Sequence, residues 1–198
     1  MMKNLFKKNR RGISNVVATV LLILLTVAAV AALISFLRPF VHDNLQKSTE
    51  CIPYQGYYTF QENFVNESGT YNFNCYMPSG SNNLIGATIS SGTNLTQDQM
   101  ENLAGFSLVF RNDNGQSSTI NVANGKSSNN SLGGIWRIDS PGATTLSING
   151  PGDTLTYVYN TSNFYTDAGL YVVLKSGRVC DSPDTIKLQQ CGTGVVLG

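Results

Sequence analysis

The sequence predicts an α+β protein: a long N-terminal hydrophobic α-helix followed by an all-β, sandwich-like head domain. Three observations carry this. From Val16 to Leu37 there is no charged residue. After Cys51 the helical pattern gives way to short alternating runs separated by Gly, Asn and Pro. The length of 198 residues suits one ordinary domain with an appendage.

The apolar run comes first. As a helix, Val16 to Leu37 spans about 33 Å, close to the hydrocarbon thickness of a bilayer. Lys3, Lys7, Lys8, Arg10 and Arg11 precede it and Arg38 alone follows directly, so the positive-inside rule puts the N-terminus in the cytoplasm and everything beyond about Phe40 outside. Apart from those five leading cations, eight Lys and Arg stand against twelve Asp and Glu. A mildly acidic remainder has no basic stripe for phosphates, so nucleic acid is not an expected partner.

Three fates of this segment differ in where the chain is cut. Secretory cleavage after Ala29-Val30-Ala31 would leave an apolar stub, and the run is longer than an ordinary signal core. An uncleaved anchor explains the hydrophobicity but gives no role to the glycine before "ISN". A cut between Gly12 and Ile13 on the cytoplasmic side removes the charged leader and leaves the helix as the new N-terminus. The stretch "RRGISNVVATVLLILLTVAAVA" resembles the class III signal and N-terminal helix of archaeal type IV pilins and archaellins. The resemblance covers roughly the first forty residues. It implies a cleavage site at Arg11, Gly12 and Ile13, a prepilin peptidase as processing partner, and an assembly helix that packs against identical or related pilin subunits after leaving the membrane. Bacterial type IV pilins usually carry Glu as the fifth mature residue; Val17 stands there, which points to the archaeal branch.

The helix chemistry agrees with such packing. Val16, Ala18, Leu24, Ala28, Ala29, Ala32 and Leu37 are the expected assembly positions, and the small residues among them let helices approach closely where no hydrophobic drive exists. Pro39 is expected to kink or end the helix, with "FVHDNLQKSTE" continuing as an amphipathic turn or two. The domain expectation is a leader at 1–12, a transmembrane or filament-core helix and stalk at 13–50, and an extracellular head at 51–198.

In the head, "GYYTF", "TYNFNCY", "LIGATIS", "GFSLVFRN", "STINVA", "GIWRID", "TTLSING", "DTLTYVYN", "GLYVVLKSG" and "TIKLQ" read as strands. In "DTLTYVYN" one face carries Leu155, Tyr157 and Tyr159 and the other Thr154, Thr156 and Val158. About ten strands at this spacing suggest a β-sandwich. "LTQDQMENLA" reads as a short helix with a capping box from Thr96 to Gln99. "NGPGD" between two alternating runs reads as a hairpin turn.

Cys51, Cys75, Cys180 and Cys191 lie on the exterior side, and an even number there implies two disulfides with three possible pairings. Local closure favours Cys51–Cys75 and Cys180–Cys191. A metal site is not expected, since there is no C-x-x-C and His42 is the single histidine. Four N-x-S/T sequons, at Asn66, Asn94, Asn129 and Asn160, are candidate glycan acceptors. With 21 Asn, and Ser plus Thr near a fifth of the chain, about four arise by chance, so their number carries no weight.

No Ser-His-Asp or Cys-His set is available away from His42, and no cofactor is implied. Carboxylates sit mostly in turns and at helix starts; Asp181 and Asp184 in "DSPD" read as a solvated loop before a calcium site. The leading expectation is a structural subunit of an archaeal pilus-like surface filament for adhesion or motility. The alternatives are a membrane-anchored surface binding protein or minor adhesin that never polymerises, and an anchored extracellular hydrolase.

Overall fold

The computed structural model describes residues 15–62, 64–66, 69–71, 73–181, 183–192 and 194–197, with the backbone alone at 15, 42–48, 64–66 and 69–71. The protein is α+β, an apolar N-terminal helix followed by a β-rich domain of two sheets in a sandwich-like arrangement. It divides into two compact units, Met1–Glu50 and Cys51–Gly198.

In the first unit, helix α1 runs Asn15–Cys51. Its 37 residues correspond to about 55 Å. Val16–Val41 has a mean hydropathy of 2.9, long and apolar enough to cross a membrane. Its few hydroxyls need no outside partner. Thr19 Oγ1 donates to Val16 O at 2.9 Å, Thr26 Oγ1 to Ile23 O at 2.9 Å and Ser35 Oγ to Ala31 O at 2.8 Å. Each side chain is thereby satisfied within its own helix, the condition for lying in hydrocarbon. Of the two expectations at Pro39, a kink or an end, the end does not occur, and the expected continuation does: α1 runs through Pro39 to Cys51. A proline deprives the helix of one hydrogen bond, and the ladder on both sides outweighs that single loss.

The head starts with a 3-10 turn, Ile52–Tyr54. Strands β1 (Tyr58–Phe60), β4 (Cys75–Ser79), β5 (Asn82–Ser91), β8 (Ile135–Arg137), β9 (Thr154–Thr161) and β12 (Gln189–Gln190) form one sheet, in the order β12-β4-β5-β9-β8, with β1 also on β5. The other sheet is β11-β10-β6-β7, built from β6 (Leu103–Arg111), β7 (Ser117–Ala123), β10 (Asp167–Leu174) and β11 (Asp184–Lys187). A small hairpin pairs β2 (Phe64–Asn66) with β3 (Gly69–Tyr71). All pairings are antiparallel except β12 on β4.

Period-two alternation fills the space between the sheets. Ile85, Ala87 and Ile89 of β5 and Tyr157 and Tyr159 of β9 meet Phe106, Leu108 and Phe110 of β6 and Ala168, Leu170, Val172 and Leu174 of β10. The opposite face of the first sheet is covered too. There Val158 joins Cys75, Trp136, Val195 and Leu197 in a second cluster. The two faces of β9 are thus the two expected from the sequence. Leu197 lies so close to Gly86 that a Cβ there would be 2.9 Å from its Cδ2 and 2.4 Å from Phe73 O. A side chain at position 86 would force the backbone at Phe73 and the side chain of Leu197 to shift.

Helix α2 (Gln97–Asn102) has the expected capping box, with Thr96 Oγ1 accepting from Gln99 N and the Gln99 side chain accepting from Thr96 N. Two strand expectations are corrected. "TYNFNCY" is split between β3 and β4, with Asn74 buried between them. Its Nδ2 donates to Gln61 O and its Oδ1 accepts from Thr88 N, both at 2.7 Å. "TTLSING" is not a strand but an irregular segment touching Ser127 at one bridge, so "NGPGD" makes a turn without closing a hairpin. Its polar groups are paired individually: Leu146 N donates to Lys126 O, Asn149 Nδ2 to Ile89 O, and Gly150 N to Asp153 Oδ2.

Candidate functional site

The first candidate is α1 itself. Every residue from Val16 to Val41 is exposed, including Val16, Ala18, Leu24, Ala28, Ala29, Ala32 and Leu37. At about 100° per residue, Ala28, Ala29 and Ala32 share one side of the helix. On the other side Thr26, Val27, Val30, Ala31 and Ile34 line a shallow apolar groove. Both sides are apolar. Arg11, Gly12 and Ile13 lie outside the described residues, as does the side chain of His42.

The cysteines form two disulfides, and the expected local pairing is wrong. Cys51 is bonded to Cys180 and Cys75 to Cys191. The reason is topological. β10 ends beside the point where the chain enters the head, and Cys180 N donates to Val172 O there. β12 runs parallel to β4 with Gln189 opposite Cys75, and Cys191 N donates to Tyr76 O. Sheet order, not separation along the chain, brings each pair together.

The sequons sit in different surroundings. Asn94 is exposed before α2, with its side chain folded over Gly92. Asn129 is exposed in the loop before β8. Asn160 lies in β9, opposite Leu84 of β5, and its Nδ2 donates to Asn130 O at 2.9 Å. The backbone of Asn66 is in β2.

The polar groups of the head serve the fold. Arg137 donates to Ser147 Oγ and forms an ion pair with Asp139, whose hydrogen bonds hold the Asp139 carboxyl below, and the guanidinium above, its ordinary value. Tyr157 donates to Ser147 O and Asn149 Oδ1 and is fixed at the centre of the irregular segment. Asp184 accepts from Phe60 N at 2.7 Å and from Thr185 N at 3.0 Å, which ties β11 to β1. Tyr54, Tyr57 and Tyr58 are buried in the core, with Tyr57 edge-on to Tyr58 and Tyr58 edge-on to Phe106, and so form no exposed aromatic strip. Among the described residues no group of three His, Cys, Asp or Glu is placed to hold a metal ion. The Asn149–Asp153 network escaped sequence reading; "NGPGD" signalled the turn but not the buried amide that begins it. Comparison with protein-family models, with curated proteins and with solved structures finds no match to this chain.

Proposed function

We propose that the chain is a structural subunit of an archaeal type IV pilus-like cell-surface filament, inserted in the membrane as a precursor, cut after Gly12 and polymerised through residues 13 to about 48. One observation carries this reading: α1 offers an apolar surface all round over Val16–Leu37, with Ala28, Ala29 and Ala32 on one side and a groove on the other, and leads into a disulfide-bonded β-rich head. Lipid covers such a helix before assembly and the helices of identical or related subunits cover it afterwards. The two disulfides support a head on an oxidising exterior, and the five leading cations support a cytoplasmic leader. Adhesion or motility is the role such a filament would have, and the chain needs no catalytic group for it. The same apolar helix also suits a plain anchor for a surface binding protein, and the test must separate the two.

The N-terminal mass of the mature protein from isolated surface material, viewed beside electron micrographs of that material, does so. A start at Ile13 in protein recovered from fibres is expected. Replacing Gly12 with Phe should leave a full-length, membrane-retained precursor, because the peptidase needs a small residue at the cut. A wild-type protein that starts at Met1 or Met2, or after Ala31, overturns the proposal.

A further inference from the structure

We propose that Asn129 is a glycan acceptor of the head and that Asn160, with an equally valid sequon, is not; this rests on the head facing the exterior, as proposed above. A transferase needs the amide nitrogen free and the hydroxyl two residues on turned back toward the amide, which requires a turn rather than a paired strand. Asn129 meets both conditions. Ser131 Oγ donates to its Oδ1 at 2.7 Å, and the loop is held by Asn129 N to Ile135 O at 3.1 Å and Gly134 N to Ser131 O at 2.8 Å. Oδ1 is pressed against Gly134, where a Cβ would come within 1.9 Å of it. With the oxygen turned inward onto the loop, Nδ2 is left toward solvent on an exposed residue.

Asn160 has the opposite setting. It is in β9, its backbone N–H donates to Gly134 O and its C=O accepts from Gly133 N. Its Oδ1 is buried and its Nδ2 is held on Asn130 O. Asn94 is exposed, but Thr96 is engaged as the cap of α2 and does not turn toward it.

The donor class is an activated glycosyl phosphate. Nδ2 forms a bond to the anomeric carbon, the bond from that carbon to the phosphate oxygen breaks, the phosphate leaves with the electron pair, and the amide gives up one proton. Asn129 lies at the end of the sandwich away from Cys51, beside the turn of β4 to β5 and the end of β9, so a glycan there covers the far tip of the head.

Tryptic mapping of the full chain from its native membrane or fibres reads this directly, since the single sequon of Ser127–Arg137 is at Asn129 and that of Ile138–Lys175 at Asn160. A glycan mass on the first peptide and none on the second is expected. Gly134→Ala keeps every sequon yet displaces the carboxamide, so occupancy of Asn129 should fall several-fold while both disulfides stay intact. A bare first peptide in disulfide-bonded protein, or full occupancy in the Gly134→Ala variant, overturns the assignment and leaves the exterior reading standing. A bare first peptide with four free thiols overturns both.

Discussion

Gly86 has no side chain because Phe73 O and Leu197 already occupy the space a Cβ would take. Gly86→Ala should therefore lower stability by about 1–3 kcal/mol, as overpacking does. Gly142→Ala, with nothing within 4 Å of the new atom, should be close to neutral. Denaturant unfolding of the two variants beside wild type makes the comparison. Tyr58 and Tyr157 lead to a second expectation. Burial, reinforced for Tyr58 by Tyr57 and Tyr157, pushes its phenol far above the ordinary value; burial likewise dominates at Tyr157, against the opposing pull of Arg137. A folded value raised above the unfolded one, about 10, means stability that is whole below that pH and lost as pH climbs beyond it. Tyrosinate absorbance should rise first from exposed rings, and the last tyrosines should ionise only together with loss of the β-sheet circular dichroism. Ionisation of all nine tyrosines with the sheet signal intact would contradict this.

At the level of elements, α1 makes the filament and the anchor distinguishable. Ala29→Leu and Ala32→Leu keep the segment apolar, so membrane insertion stays favourable, but both broaden the narrow side shared with Ala28. Each variant should be present in membranes and depleted several-fold from sheared surface fibres, measured by immunoblot of the two fractions. Wild-type behaviour of both variants, alone and combined, with no fibre containing the protein, favours the anchored monomer. The elements that were legible in the sequence are those whose signal is local. Alternation marked β5, β6, β9 and β10, and Thr96 with Gln99 marked the start of α2. "TTLSING" has strand-like residues but finds partners one at a time, and nothing local distinguishes that from a ladder. The tail residues Val195 and Leu197 had no pattern to announce them. They are buried because Gly86 leaves room and Cys191 holds the segment on the sheet. The small residues of α1 were legible as composition, whereas the groove from Thr26 to Ile34 needed the helix in three dimensions.

For the molecule as a whole the disulfides matter most, and their pairing was the least legible feature, since it depends on which strands become neighbours. Disulfide mapping should recover Cys51 with Cys180 and Cys75 with Cys191. Removing Cys75 and Cys191 together by serine substitution should cost about 4 kcal/mol on the chain-entropy account, because with Cys51–Cys180 intact this bridge closes the path from 75 back to 51 and from 180 on to 191. The shift of the denaturation midpoint at unchanged Cys51–Cys180 bonding measures it. The two bridges also interleave, one closing 51–180 and the other 75–191. Suppose the chain is pulled between α1 and its C-terminus, as a tethered surface protein is in flowing water. Tension arriving at Cys51 crosses at once to Cys180 and needs to travel only to Cys191, a tether of roughly 40 Å when taut. The stretch between Cys51 and Cys180, roughly 450 Å if drawn out, stays slack. Of the strands only β11 and β12 lie on the loaded path, and once they and the tail have peeled away the head yields further length only when a sulfur bond breaks.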